Sequence, residues 1–309
     1  MVAGDVAEDS KILLRTLSLL REVFTFVFFI PGNHDLWVKG HGITESFPSS
    51  VEKLSHLTEK CGELGVYTYP IHFTWREKGI WIVPLYAWYH PSFDQEKDIP
   101  PDMASIPPVE KVFQDFRRCV WPPGLDPLQT HVAKYFDDLN DKPPNNSLSP
   151  LSHSLSRLGA DVIISFSHFL PRIELIPEKR FLFYPHLAKA VGSDFLAKRV
   201  SLLTPSLHVF GHTHFGWDME MEGVRYVQAP LGYPHERKQR PASMYVGDGG
   251  EEERMREGLL APVMVYDGRE EGMVCGMWSS WPARYNGGER RDPQNVELAP
   301  WVRKMWPKP

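Results

Sequence analysis

Leu13, Leu14, Leu17 and Leu20 recur at steps of three and four residues, the spacing of one helical face, and Ser10 lies where its hydroxyl caps such a helix. The pattern then changes. Residues 23–30 form an apolar, aromatic and β-branched run without alternation, ended by Pro31-Gly32, as expected of a strand buried on both faces of a parallel sheet. Runs at 163–169 and 206–210 predict two more buried strands. Between these segments, Ser50 starts a helix through Val51, Leu54 and Leu57 that ends at Gly62 or Gly65, and strands follow near 65–69, 71–75 and 79–85. Residues 215–219 and 224–227 read as a hairpin across Glu222-Gly223, with a further strand at 262–266. Helices alternating with buried strands predict an α/β fold.

Segments 91–150 and 236–258 stand outside that frame. The first carries the proline pairs Pro100-Pro101, Pro107-Pro108, Pro122-Pro123 and Pro143-Pro144, with helical spacing at 109–120 and 128–139. It reads as an insertion, either an appendage packed on the sheet or a cap that selects the leaving group. The second includes a glycine-rich acidic run at 247–253 and reads as a flexible loop. Trp301 and Trp306 in the polar tail are expected to dock on what is otherwise a single domain over 1–309.

The candidate chemistry sits where strands end. Gly32-Asn33-His34-Asp35 follows the first long apolar run, Gly211-His212-Thr213-His214 follows residues 206–210, and His168 closes the run from Ile163. Asp5 lies one helix and one strand ahead of Asn33-His34, the separation that a βαβ unit imposes. Open α/β sheets bind ligands beyond the carboxyl ends of their strands. Taken singly, a Gly-Asp pair is a turn signal, a histidine after an apolar run is a structural residue, and Asp35 is a loop-capping acid. Both tetrapeptides together arise by chance in a chain of this length with a probability on the order of 10⁻⁶.

With these blocks the chain resembles the calcineurin-like metallophosphoesterases. The resemblance implies a four-layer α/β/β/α sandwich and hydrolysis of a phosphomonoester or phosphodiester at two divalent ions. Asp5 would bridge the ions, Asn33, His168 and His212 would complete one shell, and His214 would bind the other ion. His34 would protonate the leaving alkoxide or stabilise the transition state, and Asp35 would orient and charge it. His208 matches no family ligand and reads as a packed strand residue. Arg172, shortly after His168, is a candidate phosphate contact. A phosphate ester resists hydrolysis because its oxygens repel a nucleophile, and two ions both polarise those oxygens and acidify a water. A carboxylate, amide-oxygen and imidazole set without thiolate suits Mn, Fe, Zn or Co.

The chain also departs from the family pattern. An Asp-x-His block is expected ahead of Gly4, yet only Val2 and Ala3 separate Gly4 from Met1, and no other Asp-x-His occurs. The sequence therefore suggests a lost first strand. One ion then keeps four ligands and the other two, so hydrolysis is expected to be impaired, and an inactive metal-binding relative is the alternative.

Composition narrows the rest. The net charge of −5 argues against a nucleic-acid partner, since no basic stripe is present to contact a phosphate backbone, and a small phosphorylated substrate is favoured. The most apolar stretch is interrupted by Arg15, Arg21 and Glu22, too early for a membrane span. Three scattered cysteines point to a reducing intracellular compartment such as the cytoplasm, though a targeting peptide could be lost with the N-terminus.

Overall fold

The computed structural model describes residues 1–145, 162–244, 246–247, 262–269, 272–273, 278–279 and 290–307. The chain enters as strand β1 (Val2–Ala3), crosses through helix α1 (Ser10–Val23) and returns as β2 (Val27–Ile30), parallel to β1 with Ala3 opposite Ile30. The cap of α1 is Asp9, one residue before the expected Ser10. Its carboxylate accepts from the amides of Lys11 and Ile12 and also holds Thr44.

Residues 23–30 divide between two elements where a single strand was expected. The helix continues through Val23, and the Phe24 amide closes it on the Leu20 carbonyl. Phe24 and Phe26 remain 41% and 47% exposed, so only Val27–Ile30 meets the burial a central strand requires. Helix α2 (Ser50–Glu63) is capped by Ser49 and leads into the short β3 (Val66–Tyr67), which completes a three-stranded sheet in the order β1-β2-β3.

The second sheet contains β4 (Ile71–Trp75), β5 (Lys78–Pro84), β6 (Val162–Phe166), β7 (Leu207–Val209), β8 (Trp217–Met221) and β9 (Val224–Gln228), ordered β4-β5-β6-β7-β9-β8. Strands β5, β6, β7 and β9 are parallel, and the two edge strands are antiparallel to their neighbours. Phe29 and Ile30 of the first sheet share one continuous core with Val83 and Phe166 of the second, and helices flank the sheets, which makes the fold an α/β sandwich.

The insertion is built partly into this core. Its helix α5 (His131–Leu139) buries Val132 in this core and Phe136 against Trp88 and Trp121, and Trp88 in turn meets Phe169. The helix expected at 109–120 is broken into α3 (Val109–Val112) and α4 (Asp115–Arg118) by extended backbone at Phe113, which lets Asp115 turn inward. Helix α6 (Asp194–Leu203) precedes β7. The start of segment 236–258 is ordered structure in place of loop, as the end of α7 (Pro234–Gln239) and a 3-10 turn over Pro241–Ser243. Beyond Met244, only Val246–Gly247 of that segment lies within the described residues. Residues 262–265 are irregular, and the strand expected there is confined to Tyr266–Asp267. Helix α8 (Pro300–Met305) docks as expected, with Val302 buried beside Ile99 and the indole of Trp306 bonded to the Phe183 carbonyl. Among the described residues no helix is long and apolar enough to cross a membrane.

Candidate metal centre

Four parallel strands deliver their ends to one place. β1 runs into Gly4-Asp5, β2 into Gly32-Asn33, β6 into Ser167-His168 and β7 into Gly211-His212. Such convergence needs close backbone approach. A Cβ on Gly4 would lie 2.5 Å from both the Gly32 nitrogen and His168 Nδ1. It also needs unusual backbone: Asp5, His212 and His214 occupy the left-handed region at φ 56°, 74° and 55°. Each such residue carries strain of order 1–3 kcal/mol, which persists only where surrounding structure enforces it.

Two of these residues, Asp5 and His212, belong to the polar cluster. His168 Nε2 and His212 Nδ1 each lie 3.0 Å from Asn33 Oδ1 and 3.3 Å from one another. Asp5 Oδ2 lies 3.4 Å from His168 Nε2, while Oδ1 accepts the His34 amide. The remaining ring nitrogens settle the tautomers. His168 Nδ1 donates to the Ala3 carbonyl at 2.7 Å, and His212 Nε2 donates to the Ala190 carbonyl at 2.7 Å. Two imidazole lone pairs and an amide oxygen therefore face one another, those of His168 and Asn33 buried and that of His212 partly so, without a proton among them in the neutral tautomers. Such a set of acceptors is unfavourable when left without a donor and favourable for a cation. Asp5, His168 and His212 also form the one group among the described residues whose ligand atoms lie close enough to share an ion.

Electrostatics agree with this geometry at His212 and Asp5, and without an ion favour a proton on His168. Burial pushes the His212 imidazole down to about 3, so it stays neutral with its lone pair available. Burial also opposes charge on His168, but the adjacent Asp5 carboxylate outweighs it and holds that imidazole above its usual range. For Asp5, burial acts upward, and the imidazoles of His168, His34 and His212 more than reverse it, so the carboxylate is ionised.

The expected site residues do not all meet here. His34 lies at the edge, its ring tilted against that of Trp37 with centroids 3.7 Å apart. Its Nδ1 is 3.6 Å from Glu8, and its Nε2 lies 3.1 Å from the Tyr233 hydroxyl and 3.9 Å from Asp5. His214 stands beside the cluster, its Nδ1 bonded to Glu236 and its ring 5.2 Å from that of Tyr233. Asp35 does not orient His34 as expected. Both its oxygens are taken by backbone amides, those of Asp5, Val6, Ala7 and Gly32 at 2.7–3.1 Å, so it ties the β1 loop to the β2 loop. Burial, then Asp5, push its carboxyl up against the pull of those donors. Arg172 is placed elsewhere: its guanidinium pairs with Glu174 and Glu222 and lines a 520 Å³ groove to which no cluster residue contributes.

Three contributors, Asp115, Glu8 and Glu236, escaped the sequence reading, whereas Tyr233 follows the last hairpin, where a pocket residue is expected. Asp115 accepts from Asn33 Nδ2, Trp37 Nε1 and the Tyr89 hydroxyl. Glu8 faces His34 and is paired with Arg118 at 2.7 Å, Tyr233 reaches His34, and Glu236 holds His214. Nothing local marks the three acids, although Glu8 lies in the same loop as Asp5.

No family model matches the chain. The chain is similar to the [acyl-carrier-protein] phosphodiesterase PptH of Mycobacterium tuberculosis, 27% identical over 248 residues that cover 79% of this chain and 72% of the relative. It also matches the crystal structure of the phosphopantetheinyl hydrolase PptH from that organism, with a TM-score of 0.53 and 22% identity over 79% of this chain and 82% of the other. The two share a fold. By its name, the relative hydrolyses a phosphodiester of acyl carrier protein.

Proposed function

We propose that this chain is a metal-dependent phosphodiesterase acting on the phosphodiester that joins a phosphopantetheine arm to a carrier protein. The observation that carries the reading is the facing of His168 Nε2, His212 Nδ1 and Asn33 Oδ1 beside the Asp5 carboxylate. These four residues would hold one divalent ion, with carboxylate, amide and imidazole donors that suit Mn, Fe, Zn or Co. An ion bound there supplies positive charge to phosphoryl oxygens and makes a water acidic enough to attack near neutral pH. The similarity to a carrier-protein phosphodiesterase supports the choice of ester.

The remaining work falls to His34. Glu8, itself held by Arg118, faces Nδ1 and favours the tautomer that carries a proton there. Nε2 faces the half-exposed side, where the Tyr233 hydroxyl marks a hydrogen-bonding position 3.1 Å away. In the imidazolium form, with Nδ1–H kept toward Glu8, the Nε2 proton is placed to pass to the departing oxygen as the phosphorus–oxygen bond breaks, leaving the neutral Nδ1–H tautomer. His214, with Nδ1 on Glu236, presents Nε2 to the same rim.

The test is metal content of the purified protein, together with release of the arm from a phosphopantetheinylated carrier protein and hydrolysis of an aryl phosphodiester and an aryl phosphomonoester. Hydrolysis of the diesters that stops with chelator and returns with added Mn²⁺ or Zn²⁺ supports the proposal. Absence of bound metal, or hydrolysis of the monoester alone, refutes it.

A further inference from the structure

We propose that Asp115 is a positioning residue that fixes the Asn33 amide with its oxygen toward the metal cluster, so that the insertion 91–150 sets metal affinity; this rests on the metal site argued above. An asparagine amide turned by a half-rotation has nearly the same shape, with oxygen and nitrogen exchanged. With both imidazoles neutral and no metal bound, the turned form is the more comfortable one, because its NH₂ would donate to His168 Nε2 and His212 Nδ1, both 3.0 Å from the present oxygen. Something must oppose it. Asp115 Oδ1 accepts from Asn33 Nδ2 at 2.9 Å, and a carboxylate, being acceptor-only, would repel the amide oxygen brought into that place.

The carboxylate is itself locked. Trp37 Nε1 donates to Oδ1 at 2.6 Å and the Tyr89 hydroxyl donates to Oδ2 at 2.9 Å, in a site where Asp115 is 3% exposed. The break between α3 and α4 is what turns this side chain inward. A segment whose proline pairs suggest a peripheral cap thus reaches a residue that would hold the ion.

Mn²⁺ affinity, measured by titration calorimetry on the full chain, tests this in two backgrounds. With Asn33 present, Asp115→Ala should weaken binding by about 10- to 100-fold, the usual consequence of losing a partner that orients a ligand. Asp115→Asn should stay close to wild type, since its oxygen still accepts from Asn33 while its amide turns to the Tyr89 hydroxyl. In an Asn33→Asp background the two oxygens at position 33 are equivalent and need no orienting. There Asp115→Ala should leave affinity unchanged or improve it by removing a like charge. Thermal melts establish that each variant is folded, and Asp115→Ser removes the same carboxylate less disruptively. Equal losses in both backgrounds would mean a structural role and overturn the proposal, as would unchanged affinity with Asn33 present. Failure of the wild-type chain to bind Mn²⁺ removes the metal site and this inference with it.

Discussion

Nδ1 of His214 lies 2.7 Å from Oε2 of Glu236, which leaves Nε2 as the nitrogen this imidazole can offer to a ligand. Glu236 is held in turn by the Tyr233 amide and by Arg240. Burial would raise its carboxyl, but His214 and these other partners pull it down to about 2, so it is charged throughout the working pH range. Carboxylate–imidazole pairs of this kind fix ring orientation and ligand basicity. Glu236→Ala is therefore expected to lower turnover by about 10- to 100-fold. Occupancy of the cluster formed by Asp5, Asn33, His168 and His212 should persist, as measured by metal analysis of the variant.

His34→Ala should lower turnover by roughly 10²- to 10⁴-fold, the ordinary contribution of a general acid, while bound metal stays near the parent level. The deficit should shrink with leaving groups of low pKa, which depart without a proton. A comparison of alkyl and aryl diesters checks this, and an equal deficit on both contradicts the assignment.

Asp35→Ala should act through the scaffold. It orphans the buried-side amides of Asp5, Val6, Ala7 and Gly32, each costing about 1 kcal/mol or more when left without an acceptor. The expected outcome is a loss of several kcal/mol in urea unfolding together with lost metal binding. A stable, metal-loaded variant with only a displaced pH–rate profile would return Asp35 to the His34-orienting role.

Arg172→Ala should leave both metal content and turnover near wild type. The guanidinium is committed to Glu174 and Glu222, and its groove has no wall in common with the cluster. Steady-state kinetics on a diester decide the matter, since a large rise in KM would mark Arg172 as a substrate contact.

His208 makes stability depend on pH. It is fully buried between the hydroxyls of Ser165 and Ser167, and burial lowers its pKa from 6.5 to about 3. The unfolded chain thus binds a proton between those values while the native chain does not. Stability is complete above pH 6.5 and falls as pH drops toward 3, with a slope of up to about 1.4 kcal/mol per unit from this group. Urea melts at pH 4.5, 5.5 and 6.5 should show a shallower dependence for His208→Gln than for wild type.

The sequence made the strand ends legible because a buried parallel strand must be apolar along its whole length, and a metal ligand must then be polar at the point where that run stops. Asp5, Asn33, His168 and His212 meet on that logic. What stayed hidden follows from the same physics. Asp115 is one acid in a proline-rich segment, and only the tertiary fold brings it 82 positions back to Asn33. Asp35 sits in the motif, but a sequence cannot tell a carboxylate that accepts from an imidazole from one that accepts from four amides. The boundary at Val23 was misplaced because Phe24 and Phe26 have strand-like chemistry without strand-like burial. Ser10 and Asp9 are both competent caps, and Thr44, distant in sequence, favours the aspartate.

The cluster takes Asp5 and Asn33 from the ends of one sheet and His168 and His212 from the ends of the other. An ion held by all four would be a fastener across the seam where the sheets meet, so neither sheet could peel away without stripping a ligand pair from it. Release of the ion would then be governed by the opening of that seam and not by exchange at an exposed site. Metal at a hundred times its dissociation constant would add about 2.7 kcal/mol to the folded state. Catalytic readiness and resistance to unfolding would in that sense be a single property of the molecule, gained and lost together.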